Sequence, residues 1–232
     1  MYFTIMLQFD LNFLLAGDYR DWLLSGLLLS LQLMGITLLL SLPLACGVAM
    51  LRLAPSRLLN ALGAAYVELI RNVPLLAHFL FWYFGAPELL PDAWKERLYA
   101  GNIEAASAIT ALTLYTAAYM AEDIRSGIRA IPAQQFEAGR ALGFSFLATM
   151  RLCIVPQALR LAAPPLLSQT LALWQNTSIA TVIGVAELMY QTQRVEAASF
   201  RSVDAFVFAS VAYLAVSLAL SGLAALLQKK VA

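Results

Sequence analysis

Glu137, Arg140 and Arg151 stand on the stretch Ile131 to Pro156, interleaved with Phe136, Phe146 and Met150, inside an otherwise very apolar chain. Charges on such a half-apolar surface do not by themselves transfer a group. The sequence has no phosphate-cradling glycine loop, no cluster of metal-ligating residues and no nucleophile beside a base, so no enzymatic centre is expected. What these residues can do is dock against another protein. A second polar set lies within the apolar runs: His78, Tyr83, Tyr115, Tyr119, Gln169, Gln175, Asn176, Thr177 and Ser178. Polar groups in lipid are costly unless they face a protein interior or a wet cavity. Amides and hydroxyls at a broken helix suit amino and carboxylate groups, which makes Gln175 to Ser178 the foremost candidates for a solute path. Helix packing and interface anchoring compete as roles for the tyrosines, and a satisfied buried imidazole competes for His78.

The elements that must hold these residues follow from composition. Of 232 residues, 61% are apolar and 12% charged, which places the chain among integral membrane proteins. At about 20 residues per span there is room for five or six crossings and for no sizeable soluble domain. The whole chain, 1–232, is therefore expected to be one all-α transmembrane domain. A net charge of +1 offers no footprint for nucleic acid. Cys46 and Cys153 lie far apart among apolar neighbours and read as small hydrophobes. Asp10, Asp18 and the lack of a basic leader predict no cleaved signal peptide.

Residues 1–21 suit a helix on the membrane surface, with Phe9, Phe13 and Leu14 on one face. Five crossings are expected at about 22–51, 61–84, 106–121, 159–173 and 205–227. Glu68 and Arg71 are spaced to meet on one helix face, Tyr115, Tyr119 and Glu122 form a stripe, and Glu122 and Arg125 are expected to tie the third crossing to the stretch that follows it. Residues 86–105 read as a loop. Pro164 and Pro165 should interrupt the fourth crossing, and Gln175 to Ser178 should end it. Between the third and fourth crossings, at about 122–160, the Ile131–Pro156 stretch reads as two short helices that stay out of the membrane. Pro132 opens the first, Gly143 closes it in the left-handed conformation, Ser145 caps the second, and Pro156 breaks or kinks it.

Basic residues set the orientation. Arg52, Arg57, Arg71, Arg125, Arg129, Arg140, Arg151, Arg160, Lys229 and Lys230 fall on one side, and the smaller set Arg20, Lys95, Arg97, Arg194 and Arg201 on the other. The positive-inside rule places the first set in the cytoplasm, with the N-terminus outside and the C-terminus inside.

The helix pair has a further signature. Glu137-Ala138-Gly139, then Gly143, then Pro156 resembles the Glu-Ala-Ala…Gly…Pro motif of the permease subunits of ABC importers. Glu68-Leu-Ile-Arg-Asn-Val-Pro-Leu-Leu76, Ala118 to Ile128, Pro156-Gln-Ala-Leu-Arg160, Asn176-Thr-Ser-Ile179 and Val185-Ala-Glu-Leu188 resemble segments of the polar amino-acid permeases, in order, over about residues 22–227. The resemblance implies a type I ABC importer permease fold in a bacterial inner membrane. It implies a second permease chain, identical or paralogous, two ATP-binding subunits that hold ATP and Mg, and an extracytoplasmic amino-acid-binding protein. No cofactor is expected on this chain. Gln135, Glu137, Ala138, Gly139, Arg140, Gly143 and Pro156 would then form the coupling element seated on an ATP-binding subunit. Gly139 departs from the usual second Ala, Cys153 stands where Ile is common, and Gln175-Asn176 replaces a frequent Lys-Asp. The Gln before Asn-Thr-Ser resembles glutamate/aspartate members, which implies an acidic or other polar amino acid as solute. A self-contained channel or ion-coupled secondary transporter is the rival; it calls for an inverted repeat or midplane acids, whereas the acids here sit at span ends.

Overall fold

The computed structural model describes residues 11–14 and 16–231, and all the regular structure among them is helical. Phe9 and Asp10 of the expected surface helix lie outside the described residues. The helices are α1 (Leu11–Leu14), α2 (Gly17–Leu53), α3 (Arg57–Arg71), α4 (Leu75–Leu80), α5 (Asp92–Ala100), α6 (Ile103–Arg129), α7 (Ala133–Ala141), α8 (Phe146–Thr149), α9 (Val155–Asn176), α10 (Leu188–Ser199) and α11 (Ser202–Val231). Wide π turns at Phe81–Gly85 and Met150–Ile154 and tighter 3-10 turns at Ala86–Leu89 and Thr177–Ile183 join some of them.

Among the described residues, three helical runs are long and apolar enough to cross a membrane: Gly17–Leu53, Phe146–Ile183 and Ser202–Leu226. Large hydrocarbon side chains lie uncovered along them: Leu39 of α2 is 74% exposed and Leu218 of α11 63%. That pattern belongs in lipid, since in water such faces would be buried. The expected crossing at 61–84 is divided. Pro74 lacks a donor and turns Val73 away from helical backbone, so α3 stops at Arg71 and α4 begins at Leu75. Over the expected third crossing, α6 forms one helix capped by the Asn102 carboxamide, which accepts from Ala105 N–H (2.8 Å).

Two expectations are corrected. Residues 86–105 are not a plain loop: Pro91 precedes α5, whose first turn carries Asp92, a charge favoured at a helix start. Pro164 and Pro165 do not interrupt the fourth span, because α9 runs through both. Each proline forfeits one helical bond, and in a membrane helix local adjustment and side-chain donors re-satisfy the freed carbonyls; Ser168 Oγ donates to the Pro164 carbonyl (3.2 Å).

The chain divides into two compact units. The first comprises residues up to Thr37, Leu76–Leu112 and Leu173–Leu220; its core joins Leu23, Leu188, Val195 and Ala205, with Trp22, Phe208 and Tyr213 packed around them. The second comprises Leu38–Leu75, Thr113–Ala172 and the residues from Ser221 on. Its core is rich in alanine: Ala45 and Ala49 of α2 and Ala117 and Ala121 of α6 meet Val48, Val67 and Met120. Small residues let helix backbones approach closely where no water drives them together. Gly127 shows the limit, since a Cβ there would lie 2.9 Å from both the Ala158 carbonyl oxygen and Ala162 Cβ.

Candidate functional site

The polar hairpin of the second unit forms much as its turn residues dictate. Pro132 sits extended immediately before α7. At the other end Gly143 takes φ +84°, Phe144 N–H donates to the Gly139 carbonyl and Gly143 N–H to that of Arg140, a Schellman closure. Arg140 Nη1 adds a bond to the Phe144 carbonyl (2.9 Å). Ser145 Oγ then accepts from Ala148 N–H (3.2 Å) and starts α8. The two helices close on each other through the rings of Phe136 and Phe146, 5.4 Å apart, and through Gly139, which is buried against Thr149. Gln135, Glu137, Ala138 and Arg140 are left exposed. Pro156 does not end the second helix. The π turn at Met150–Ile154 lies just before it, and this widened turn accommodates the donor that Pro156 lacks at the beginning of α9. The hairpin therefore runs without a break into a span.

Its root is held by charge. Glu122 accepts from Arg52 Nε (3.0 Å) and from Arg125 Nε (2.9 Å), and all three side chains are largely shielded. Glu122 thus joins α2 to the end of α6, and its bond to Arg125 is the expected tie between the third crossing and the polar stretch, apart from its place on the tyrosine stripe.

That stripe continues instead to Asp123. Tyr115 donates its hydroxyl to that of Tyr119 (3.2 Å), the Arg71 guanidinium lies 4.6 Å from the Tyr119 ring centre, and the Gln169 side chain and the Arg71 charge both act on the Asp123 carboxyl. Arg71 is directed to Tyr119, and no ion pair joins it to Glu68 among the described residues. Of the candidate path residues, Tyr115, Tyr119 and Gln169 are therefore brought together in the second unit. Asp123 was not anticipated, and Arg71 only as a partner for Glu68; a spacing of four residues from Tyr115 to Tyr119 to Asp123 was the available signal.

The remaining candidates belong to the first unit. His78 is buried on α4, and Tyr83 donates to Glu104 Oε1 at a long 3.5 Å. At the end of α9 Gln175 is exposed and Asn176 half-buried, whereas Thr177 is buried and commits its hydroxyl to the Trp174 carbonyl (2.8 Å); Ser178 does the same to that of Gln175 (2.7 Å). Glu187, within a recognised segment but given no role from sequence, is the hub here. Fully buried, it accepts from Tyr213 (2.9 Å) and Ser30 (3.2 Å) hydroxyls and from Met189 (3.0 Å) and Tyr190 (2.9 Å) N–H groups, capping α10. Burial pushes its carboxyl above the usual carboxylate range, against the pull of these donors. On the exposed surface near α5, Lys95 Nζ stands 2.7 Å from Glu88, and that bond lowers the Glu88 carboxyl.

A chain with a closed, exposed helical hairpin growing out of apolar spans can be set beside known proteins. The family described as the binding-protein-dependent transport system inner membrane component matches residues 14–232. A probable glutamine ABC transporter permease protein of Bacillus subtilis (strain 168) is 38% identical over 77% of this chain and 78% of its own. A glutamate/aspartate import permease protein of Escherichia coli (strain K12) is 31% identical over 92% of this chain and 88% of its own. Among solved structures, one titled an amino acid ABC transporter with histidines superposes with a TM-score of 0.81 at 26% identity, over 92% of this chain and 95% of that one. The chain belongs to the inner-membrane components of binding-protein-dependent transport systems, as a permease of the polar amino-acid ABC importers.

Proposed function

We propose that this chain is the membrane-spanning subunit of an ATP-driven importer of a polar amino acid, forming the solute path and taking its conformational stroke from separate ATP-binding subunits. One observation carries the reading: the hairpin of α7 and α8 is a closed unit, fixed internally by the Gly143 turn and the Gly139–Thr149 contact, yet it leaves Gln135, Glu137, Ala138 and Arg140 exposed. A rigid element transmits displacement, whereas a loose loop would absorb it. The resemblance supports two ATP-binding subunits carrying ATP and Mg, a second permease chain and an extracytoplasmic binding protein as partners. Five crossings with the hairpin inside fit the distribution of arginine and lysine. The solute belongs to the class that relatives are named for, glutamine or glutamate and aspartate, and in the Gln175-Asn176-Thr177-Ser178 run the exposed Gln175 and half-buried Asn176 amides suit an acidic or amide side chain.

The test is reconstitution. The chain in vesicles with its ATP-binding subunits, second permease and binding protein should take up labelled L-glutamine or L-glutamate only with ATP. A cysteine replacing Glu137 should cross-link to an ATP-binding subunit. The chain purified alone should hydrolyse no ATP. Cross-linking only to lipid or to the binding protein, or hydrolysis by the chain alone, would overturn the reading.

A further inference from the structure

A cavity of about 380 Å³ lies in the first unit, walled by the π turn after α4, the 3-10 turn that follows, α5 and the start of α6. Ligand pockets usually span about 300–1,000 Å³. Its walls include Phe81, Trp82, Pro87, Leu90, Leu98 and Ala106. Hydroxyls come only from Ser107 and Thr110, and both are committed: Ser107 Oγ donates to the Trp82 carbonyl (3.1 Å) and Thr110 Oγ1 to that of Ala106 (2.8 Å). A water there would lack the two to four polar partners it needs, and an amino acid would bury its charges unpaired.

The local winding builds this space. Phe81–Gly85 turns as a π helix, a wide turn that often marks functional sites. Gly85 leaves room for the Phe81 ring, since a Cβ there would stand 3.1 Å from Phe81 Cδ2. Trp82 meets that ring edge to face, with centres 5.4 Å apart. Glu88 of the 3-10 turn fastens α5, pairing with Lys95 Nζ at 2.7 Å and accepting from the Tyr99 hydroxyl at 3.4 Å. Outside the cavity the surface is hydrocarbon: Leu76, Leu80 and Phe84, about one turn apart, are all exposed, and Phe81, 48% exposed, joins this stripe to the cavity wall. Trp94 and Tyr99 of α5 are exposed as well, rings of the kind that gather where membrane meets water. Asp92, Glu96 and Arg97 stand exposed on the same helix.

We propose that this cavity seats one acyl chain of a zwitterionic membrane phospholipid whose headgroup lies among the charges of α5. An unfilled apolar cavity leaves its lining atoms without partners, and a chain entering from the adjoining hydrocarbon restores those contacts. The headgroup phosphate suits the Arg97 guanidinium, and its ammonium suits Asp92 or Glu96. A free fatty acid offers the same chain. Its carboxylate, however, meets more acid than base on α5 once Glu88 has engaged Lys95, so the phospholipid fits better.

The experiment uses the transporter complex that purifies with the permease, washed in a delipidating detergent. The probe is phosphatidylethanolamine with a photoactivatable diazirine at the end of one chain. Wild type should keep one probe per permease chain through the wash and, on illumination, carry the label on peptides holding Trp82 or Thr110. Ala106→Leu and Thr110→Leu fill the cavity from α6, and Leu98→Trp fills it from α5; each should lose both signals. Labelling of the α11 peptide around Leu218 in unwashed membranes, an ordinary bilayer contact, should stay unchanged and shows that the variants are folded. Unlabelled phosphatidylethanolamine should displace the probe at about tenfold lower concentration than palmitate. Loss of the probe by washed wild type, or retention in every variant with normal α11 labelling, would overturn the proposal. Equal displacement by palmitate would overturn the assignment to a phospholipid. Leu89→Cys cross-linking to another protein of the complex, with no probe retained by wild type, would show that a protein covers the cavity instead.

Discussion

Gly139 packs directly on Thr149 across the hairpin: a Cβ at 139 would stand 2.6 Å from Thr149 Cγ2 and 3.1 Å from its hydroxyl. Thr149 has little room to retreat, being buried and bonded through Oγ1 to the Ser145 carbonyl (3.0 Å). The glycine that departs from the usual Ala therefore answers to its own second helix. Its helix penalty of up to about 1 kcal/mol against Ala is offset by contact that Ala could not make.

Gly139→Ala should accordingly destabilise the hairpin, by about 1–3 kcal/mol as overpacking does, and lower ATP-driven uptake. The double variant Gly139→Ala, Thr149→Ala removes the obstructing methyl and should recover most of it. Uptake rates and thermal unfolding of the four forms give the coupling directly. Additive effects of the two changes would deny that the contact matters.

Glu137→Arg reverses a charge on the exposed face of α7 without touching a buried group. The permease should reach the membrane at its normal level and unfold at its normal temperature, while uptake falls to background. Quantitative immunoblotting beside an uptake assay checks both halves. Transport near the wild-type rate would show that this face is not the docking surface.

Gln175 and Thr177 stand two residues apart and should behave differently. Gln175 is exposed, whereas Thr177 is buried and bonded to the Trp174 carbonyl. Gln175→Ala should raise the solute concentration needed for half-maximal uptake with little effect on unfolding temperature. Thr177→Val should chiefly lower that temperature, by the equivalent of about 1 kcal/mol for one neutral hydrogen bond. The reverse pattern would put the Thr177 hydroxyl, not the Gln175 amide, on the path.

The contrast between these regions explains what could be read in advance. The hairpin was legible because its signals are local: Pro132, Gly143 and Ser145 each act through their own backbone. The expected end at Gln175 to Ser178 is only a change of winding: α9 gives way to 3-10 turns after Asn176, and the run continues to Ile183. Pro164 and Pro165 misled, since in a long apolar helix the surrounding bonds outvote a missing donor. The α6 stripe left one position open. Both Glu122 and Asp123 lie near the line of Tyr115 and Tyr119, and only tertiary partners decide between them: Arg52 of α2 claims Glu122, and Gln169 of α9 faces Asp123. Glu187 carried no local mark beyond its place in a recognised segment, because its partners Ser30 and Tyr213 lie 157 and 26 residues away.

Glu187 allows the energetics of the first unit to be tested. Its carboxylate stops the α10 N-terminus from presenting unpaired donors, and it also occupies the hydroxyls of Ser30 on α2 and Tyr213 on α11. Glu187→Ala removes the cap, worth about 1 kcal/mol, and strands the hydroxyls of buried Ser30 and half-buried Tyr213, at up to about 1–3 kcal/mol each. Glu187→Gln keeps the shape but turns an amide N–H₂ toward groups that are themselves donors, so only part of the loss is spared. Tyr213→Phe deletes one donor together with its need for a partner and should cost least. The expected order of unfolding temperatures is wild type, Tyr213→Phe, Glu187→Gln, Glu187→Ala. Thermal unfolding of the nanodisc-embedded complex measures it, and an alanine variant as stable as wild type would mean that α10 is held by the packing of Leu188 and Val195 alone, with Gly26 pressed against Gln191 at the same contact.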